Sequence, residues 1–210
     1  EMLTYCQGFR REAAVVGSVV CMCISEVIGE KAGLSVLEKE QLYYGALLHD
    51  IGMLAVPNLI TGAPRSLTSE EYEKVKMHVH LAERVLKNRM ADEVVEIVAA
   101  HHERCDGSGY PRGLKEIQMN KSQQIVQFAD AVNALMGSKA YRPAFKDEEI
   151  LELIRKETVA GKYNKAISKI FFDCYNEIME YVSVRAEETM STYKKLNQQY
   201  SQVSEKLKER

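Results

Sequence analysis

Burying six ionisable side chains constrains the fold of this chain more than any other feature of its sequence. They are His49, Asp50, His78, His101, His102 and Asp130, and each lies in a run whose apolar residues recur at helical spacing. Asp50 continues the stripe Tyr43, Ala46, Leu47, so its carboxylate is expected to point towards the core. It also closes its helix, at the end whose dipole disfavours an anion. Asp130 sits inside the apolar run Ile125, Val126, Phe128, Ala129, Val132, Ala134, Leu135, mid-helix, where it has no cap to serve. A buried carboxylate is costly unless a cation meets it. A metal or an Arg/Lys partner would do, and the imidazoles favour metal. His78 lies beside the stripe Tyr72, Val75, Val79, Ala82, Leu86, whereas His80 lies among Glu73, Lys76, Glu83, Arg84 and Lys87 and reads as solvated. One histidine ending the apolar run Val94–Ala99 would pass as a satisfied core residue. His101 and His102 together do not.

Strand signals are nearly absent, and the periodicity predicts an all-α fold. A first helix covers 9–31 and stops at Gly33; Ser35 with Glu38 caps a second that runs to Asp50. Gly52, Pro57, Gly62 and Pro64 make 51–66 a loop. Thr68 with Glu71 caps the next helix, another starts near Asp92, and further helices cover 122–137 and begin near Asp147. Between the last two, residues 138–146 form a loop carrying Lys139, Arg142 and Lys146. The glycines of Asp106-Gly107-Ser108-Gly109-Tyr110-Pro111-Arg112-Gly113 permit close backbone approach. From Phe172 through Tyr175, Met179, Val182, Ala186, Thr189, Tyr193, Leu196, Tyr200 and Val203 to Leu207 apolar residues alternate in steps of three and four. That is a weak heptad seam. It divides the chain into a domain at 1–180 and a projecting helix at 181–210, a coiled-coil stalk or a linker, and predicts a homodimer through that helix.

A net charge of −2 offers no global basic field, which argues against DNA or RNA as a partner. The five cysteines, Cys6, Cys21, Cys23, Cys105 and Cys174, are scattered with no CxxC pair, so a reducing, cytoplasmic setting is expected. The apolar run Ala13–Ile24 is 12 residues long. A bilayer needs ~20, so no membrane segment is expected. The chain begins at Glu1 rather than Met and reads as a piece of something longer, compatible with the cytoplasmic part of a membrane-attached protein.

Four imidazoles and two carboxylates from four helices suit a bundle core. Mixed N/O ligation suits iron, manganese, nickel or zinc, and the lack of Cys ligands argues against a structural zinc site. Six ligands exceed what one ion takes while keeping a reactive position, so two divalent ions bridged by Asp50 are expected. Such a pair can hold a bridging hydroxide and clamp a phosphoryl group.

His49-Asp50-Ile51-Gly52, His101-His102-Glu103-Arg104, Asp106-Gly107-Ser108-Gly109-Tyr110-Pro111 and Ala129-Asp130, in that order, resemble the HD-GYP domain of the HD phosphohydrolase superfamily. The resemblance covers roughly 17–172. It implies an HD-domain helical bundle with a di- or trinuclear centre, often iron or manganese. It further implies hydrolysis of cyclic di-GMP or a related cyclic dinucleotide to pGpG or GMP, with GGDEF-type or sensor domains as partners. By the same resemblance His49, Asp50 and Asp130 hold one metal, and Asp50, His78, His101 and His102 the other. His49 and Asp50 are then the catalytic pair. Gly109, Tyr110 and Pro111 line the ligand pocket, Lys139 and Arg142 meet its phosphates, and Glu103 and Arg104 support the ligands from behind.

The chain departs from that pattern at three positions. Gly17 stands where many members carry a metal-binding histidine, and Glu12 is only a weak substitute. Met53 replaces a phosphate-binding lysine, and Asn133 replaces an aspartate. The favoured reading is a metal-dependent phosphodiesterase. The alternatives are a weak or inactive domain that binds nucleotide or a partner protein, and an HD hydrolase acting on another nucleotide.

Overall fold

Helix α1 (Glu12–Lys31) is the axis of the bundle in the computed structural model, which describes residues 12–137 and 145–208. Helices α2 (Val36–Leu48), α6 (Lys121–Met136) and α9 (Tyr175–Lys208) pack around it. This explains why Val19–Ile24 has no polar face, since a helix covered on several sides is apolar all round. Val19, Val20, Cys21, Met22, Cys23, Ile24 and Ile28 join Phe128, Val132, Phe171, Ile178 and Val182 in the main core. Helices α7 (Asp147–Val159) and α8 (Lys165–Asp173) close that core from the far side.

A second, smaller core, built from Leu48, Ile51, Ala82, Leu86, Val95 and Val98, joins α4 (Ser69–Leu86) to α5 (Asp92–Ala99) and to a 3₁₀ turn at Ile51–Ala55. The candidate site lies where the two cores meet. No β-strand occurs among the described residues, and an isolated bridge pairs Asp106 with Lys115. The all-α expectation holds. No described helix is long and apolar enough to cross a membrane.

Reciprocal capping boxes start α2 (Ser35/Glu38), α4 (Thr68/Glu71) and α6 (Asn120/Gln123), each fixing where the following helix presents its side chains. Each cap contributes about 1 kcal/mol. Arg65 grips the Glu71 carboxylate with two nitrogens, at 2.7 and 2.8 Å, and holds that carboxyl down at about 2.

Four local readings need correction. Helix α2 ends at Leu48, with His49 as its C-cap, and Asp50 leaves helical geometry at φ −96°, ψ 11°. Asp50 therefore does not continue the inward stripe, and its side chain is 38% exposed. Residues 51–66 are not a plain loop, since they hold the 3₁₀ turn and a short helix α3 (Asn58–Thr61). Tyr72 is 48% exposed and is not core. The heptad run is broken at Cys174, so Phe172 belongs to α8 rather than to the long helix. Along α9, Tyr181 donates to Glu26 at 2.9 Å, Glu177 pairs with Lys31 at 3.1 Å, and Ile178 and Val182 are buried, whereas Leu196 and Tyr200 are exposed.

Candidate metal centre

Three of the histidines share one local device. His49 Nδ1 lies 2.7 Å from the Ala46 carbonyl, His78 Nδ1 2.6 Å from Val75 O and His101 Nδ1 2.6 Å from Val98 O. A carbonyl only accepts, so each Nδ1 carries the hydrogen and each ring turns its Nε2 inward, a bare lone pair wherever the ring is neutral. The rings are 0–1% exposed. Backbone bonding of this kind fixes tautomer and direction together, as metal-ligating histidines require.

The bare nitrogens converge on one another and on carboxylates. His78 Nε2 and His101 Nε2 are 3.1 Å apart. Burial pushes both imidazoles below their ordinary protonation range. Neither ring then carries a second proton at neutral pH, and two lone pairs face each other. His49 Nε2 is buried without a hydrogen-bond partner, 3.6 Å from Asp50 Oδ2 and 3.5 Å from Asp130 Oδ1. Lone pairs aimed at lone pairs and carboxylates are stable only around a cation. The donor set therefore fits divalent metal.

Asp50 stands between the two groups. Its Oδ1 is 3.3 Å from His78 Nε2 and 3.9 Å from His101 Nε2, while its Oδ2 faces His49. Ligand atoms of Asp50, His78, His101 and His102 all lie within 4.8 Å of one another. Asp130, 8% exposed on α6, reaches His49 with one oxygen and His102 Nδ1 with the other, at 3.2 Å. All six residues named from the sequence thus meet in one place. His80 points away, 4.0 Å from Glu83.

Two glycines permit this convergence. A Cβ on Gly52 would lie 1.9 Å from the His78 carbonyl oxygen, so only glycine lets the 3₁₀ turn bring His49 and Asp50 against α4. A Cβ on Gly109 would lie 2.4 Å from the backbone of Glu103 and Arg104, so the glycine-rich loop folds flat over the end of α5. Glu103, fully buried, anchors that loop: its two oxygens accept the Arg112 and Leu114 N–H groups at 2.7 and 2.8 Å. Tyr110 N–H donates to His102 O at 3.1 Å, and its ring lies 4.7 Å from the His102 ring. Pro111 follows half-buried. Arg104 reaches Gln127 and the face of Tyr163 rather than the cluster. Lys139 and Arg142 lie outside the described residues.

Two of the three departures face each other. A Cβ on Gly17 would be 3.3 Å from Asn133 Nδ2, so the missing histidine and the missing aspartate are one change in one place. Sequence reasoning overlooked Lys76 and misplaced Tyr72. Lys76 Nζ lies 5.6 Å from the Tyr110 ring and 5.4 Å from the Tyr72 ring. Their i, i+4 spacing on α4 was the available signal.

The HD domain family matches residues 6–167 of the chain. A cyclic di-GMP phosphodiesterase of Thermotoga maritima is 35% identical over 161 residues, 75% of this chain and 43% of that protein. The 3'3'-cGAMP-specific phosphodiesterase 1 of Vibrio cholerae is 33% identical over 141 residues, 67% of this chain and 33% of that protein. The chain thus spans less than half the length of these curated relatives. Among solved structures, Bd1817, a HDG"Y"P protein from Bdellovibrio bacteriovorus, shares the fold with a TM-score of 0.64 at 23% identity, covering 76% of this chain and 51% of that one. Motif order, converging ligands and the family match lead to one conclusion: the chain belongs to the HD-domain family, in its HD-GYP branch.

Proposed function

We propose that this chain is a metal-dependent phosphodiesterase acting on cyclic dinucleotides of the cyclic di-GMP and 3'3'-cGAMP type, releasing pGpG or GMP. The reading rests on relatives named for those substrates and on the six converging ligands. Within it, His49, Asp50 and Asp130 hold one divalent ion and Asp50, His78, His101 and His102 the other; the N/O donor set suits iron, manganese, nickel or zinc, and the family resemblance favours iron or manganese. When bound, such ions supply Lewis-acid activation of a phosphodiester and of the attacking water. The chain's own residues do the rest. Asp50 shares its two oxygens between the ligand groups, and the three backbone-anchored imidazoles keep their nitrogens aimed inward. Tyr110 and the flat backbone at Gly109 and Pro111 form the wall beside them, with Lys139 and Arg142 assigned to the ligand's phosphates.

Gly17, Met53 and Asn133 support a second reading, a domain that binds the nucleotide but turns it over weakly or not at all. Incubating Mn- or Fe-loaded protein with cyclic di-GMP separates the two. Linear product that disappears in Asp50→Ala establishes the enzyme. Binding without product, where an active homologue turns over, establishes the second reading. The Gly17–Asn133 contact supports two ions rather than three, which metal analysis of anaerobically purified protein tests. A homodimer through the outer part of α9, where Leu196 and Tyr200 are exposed, is a separate proposal read from the mass in solution.

A further inference from the structure

Met53 leaves the 3₁₀ turn without the cation that the family pattern places beside the metal ligands. A thioether accepts weakly and cannot pair with phosphate. The rim of the site supplies a cation from another element. Lys76 is on α4, two residues before the ligand His78, and its Nζ lies over both the Tyr72 ring, at 5.4 Å, and the Tyr110 ring, at 5.6 Å. Those two rings meet edge to face at 6.4 Å, and Tyr110 in turn covers His102 at 4.7 Å. The ammonium is therefore linked to the metal ligands through one aromatic ring. Two other cations of this rim are engaged elsewhere, Arg112 with Glu96 at 2.9 Å and Arg104 with Gln127 and Tyr163.

Resting on the cyclic-dinucleotide reading, we propose that Lys76 is a further phosphate-binding cation of this chain, beside Lys139 and Arg142, taking over from the absent lysine at position 53, with Tyr72 and Tyr110 holding it at the mouth of the cluster. In the free protein its counter-ion is Glu73, three residues back on the same helix, at 2.6 Å. The Glu73 side chain is 68% exposed, and an exposed pair of this kind is worth little. A doubly charged ligand draws the ammonium away, and the four-carbon stem gives it reach while the tyrosine faces keep it oriented. Tyr72, half exposed and part of neither core, offers a flat face beside the phosphate, the kind of surface on which a nucleobase stacks.

The test uses the full chain loaded with Mn, with cyclic di-GMP and 3'3'-cGAMP as probes. Affinity is read as KM where the protein turns over and as Kd by calorimetry where it does not. Lys76→Met is expected to weaken affinity by roughly 10–150-fold, the range of one lost charge-assisted contact to phosphate. It should leave metal content unchanged, leave kcat within a few-fold and flatten the salt dependence of binding. Lys76→Arg should restore most of the affinity, and Glu73→Gln should tighten it by about 1.4–5-fold by releasing the ammonium. Lys76→Met with wild-type affinity and salt dependence overturns the assignment while the substrate reading stands. Wild-type protein that neither binds nor cleaves either probe overturns both. Loss of affinity accompanied by loss of metal makes Lys76 a structural residue and also overturns the assignment.

Discussion

The inner and outer halves of the site are built on different principles. In the inner half, His49, His78 and His101 are fully buried, each held by a backbone carbonyl of its own helix, and their free nitrogens converge before any ligand arrives. In the outer half, Tyr110, Tyr72 and Lys76 are partly exposed and are held by ring contacts and side-chain charges. The inner half is rigid because helix geometry and tautomer are coupled there, so metal affinity should be insensitive to the rim. The outer half can vary, as Met53 and Lys76 suggest, because it only has to present charge and flat surface to a ligand.

Asp50→Ala should have the largest effect. It removes the carboxylate that faces His49 on one side and His78 and His101 on the other, while deleting a side chain that is already 38% exposed. Turnover is expected to fall on the order of 10³-fold or more, the scale of several kcal/mol of lost charge stabilisation. Elemental analysis should show metal loss and far-UV dichroism an unchanged helix content. Retained metal with full activity would break the division between the halves.

Stripping the metal comes next. The apoprotein keeps two lone pairs 3.1 Å apart, so it loses binding energy and gains repulsion. Thermal unfolding should show the loaded protein more stable by about 2.7 kcal/mol at a metal concentration 100 times the dissociation constant. Lys76→Met should show the same gain, because the rim does not hold the ion. Gly52→Ala follows. Its new methyl meets backbone at 1.9 Å rather than a side chain that could turn away, so the 3₁₀ turn must move. Overpacking of this kind costs about 1–3 kcal/mol, and the displaced Asp50 should weaken metal binding as well, which a competition titration reads.

Much of this was legible in the sequence, and where it failed the cause is physical. The six converging residues could be named because charge on an apolar stripe is rare and needs a reason. The helix starts at Ser35 and Thr68 could be named because a capping box is local chemistry, complete within four residues. The direction of Asp50 could not, because the helix stops two residues early and the backbone leaves helical geometry at Asp50 itself, which sets the carboxylate between His49 and His78 rather than along the stripe. Lys76 was read with the solvated face around His80, as its position on the helical wheel demands. Its long stem carries the ammonium sideways onto Tyr110, which periodicity does not see. Tyr72 sits at a core spacing, but its ring belongs to a contact with a loop 38 residues downstream. Glu103 was read as support for the ligands, whereas its carboxylate grips two backbone N–H groups of the loop, partners that exist only once the loop has folded back.

That grip supplies a smaller effect. Glu103→Gln keeps the shape but turns one of two acceptors into a donor facing an N–H, at a buried site. The cost is about 1–3 kcal/mol, or roughly 2–4 °C of melting temperature per kcal/mol. The loosened loop should raise KM about tenfold with metal content intact, which would place Glu103 with the rim despite its burial.

Arg112→Ala should change least. Arg112 and Glu96 pair at 2.9 Å with side chains 40% and 49% exposed, so the pair contributes ~0.2–1 kcal/mol at most. The loop is held at this residue by its backbone N–H on Glu103, which alanine keeps. Stability and affinity for cyclic di-GMP should therefore stay within a few-fold of the parent, with the salt dependence of binding unaltered. This variant sharpens the contrast within the rim itself, since Arg112 and Lys76 are both partly exposed cations near one tyrosine loop. If Arg112→Ala weakened binding as much as Lys76→Met, the rim would act as a diffuse positive surface in which any cation counts. If only Lys76 matters, placement against Tyr110 and Tyr72, rather than charge alone, is what the outer half contributes.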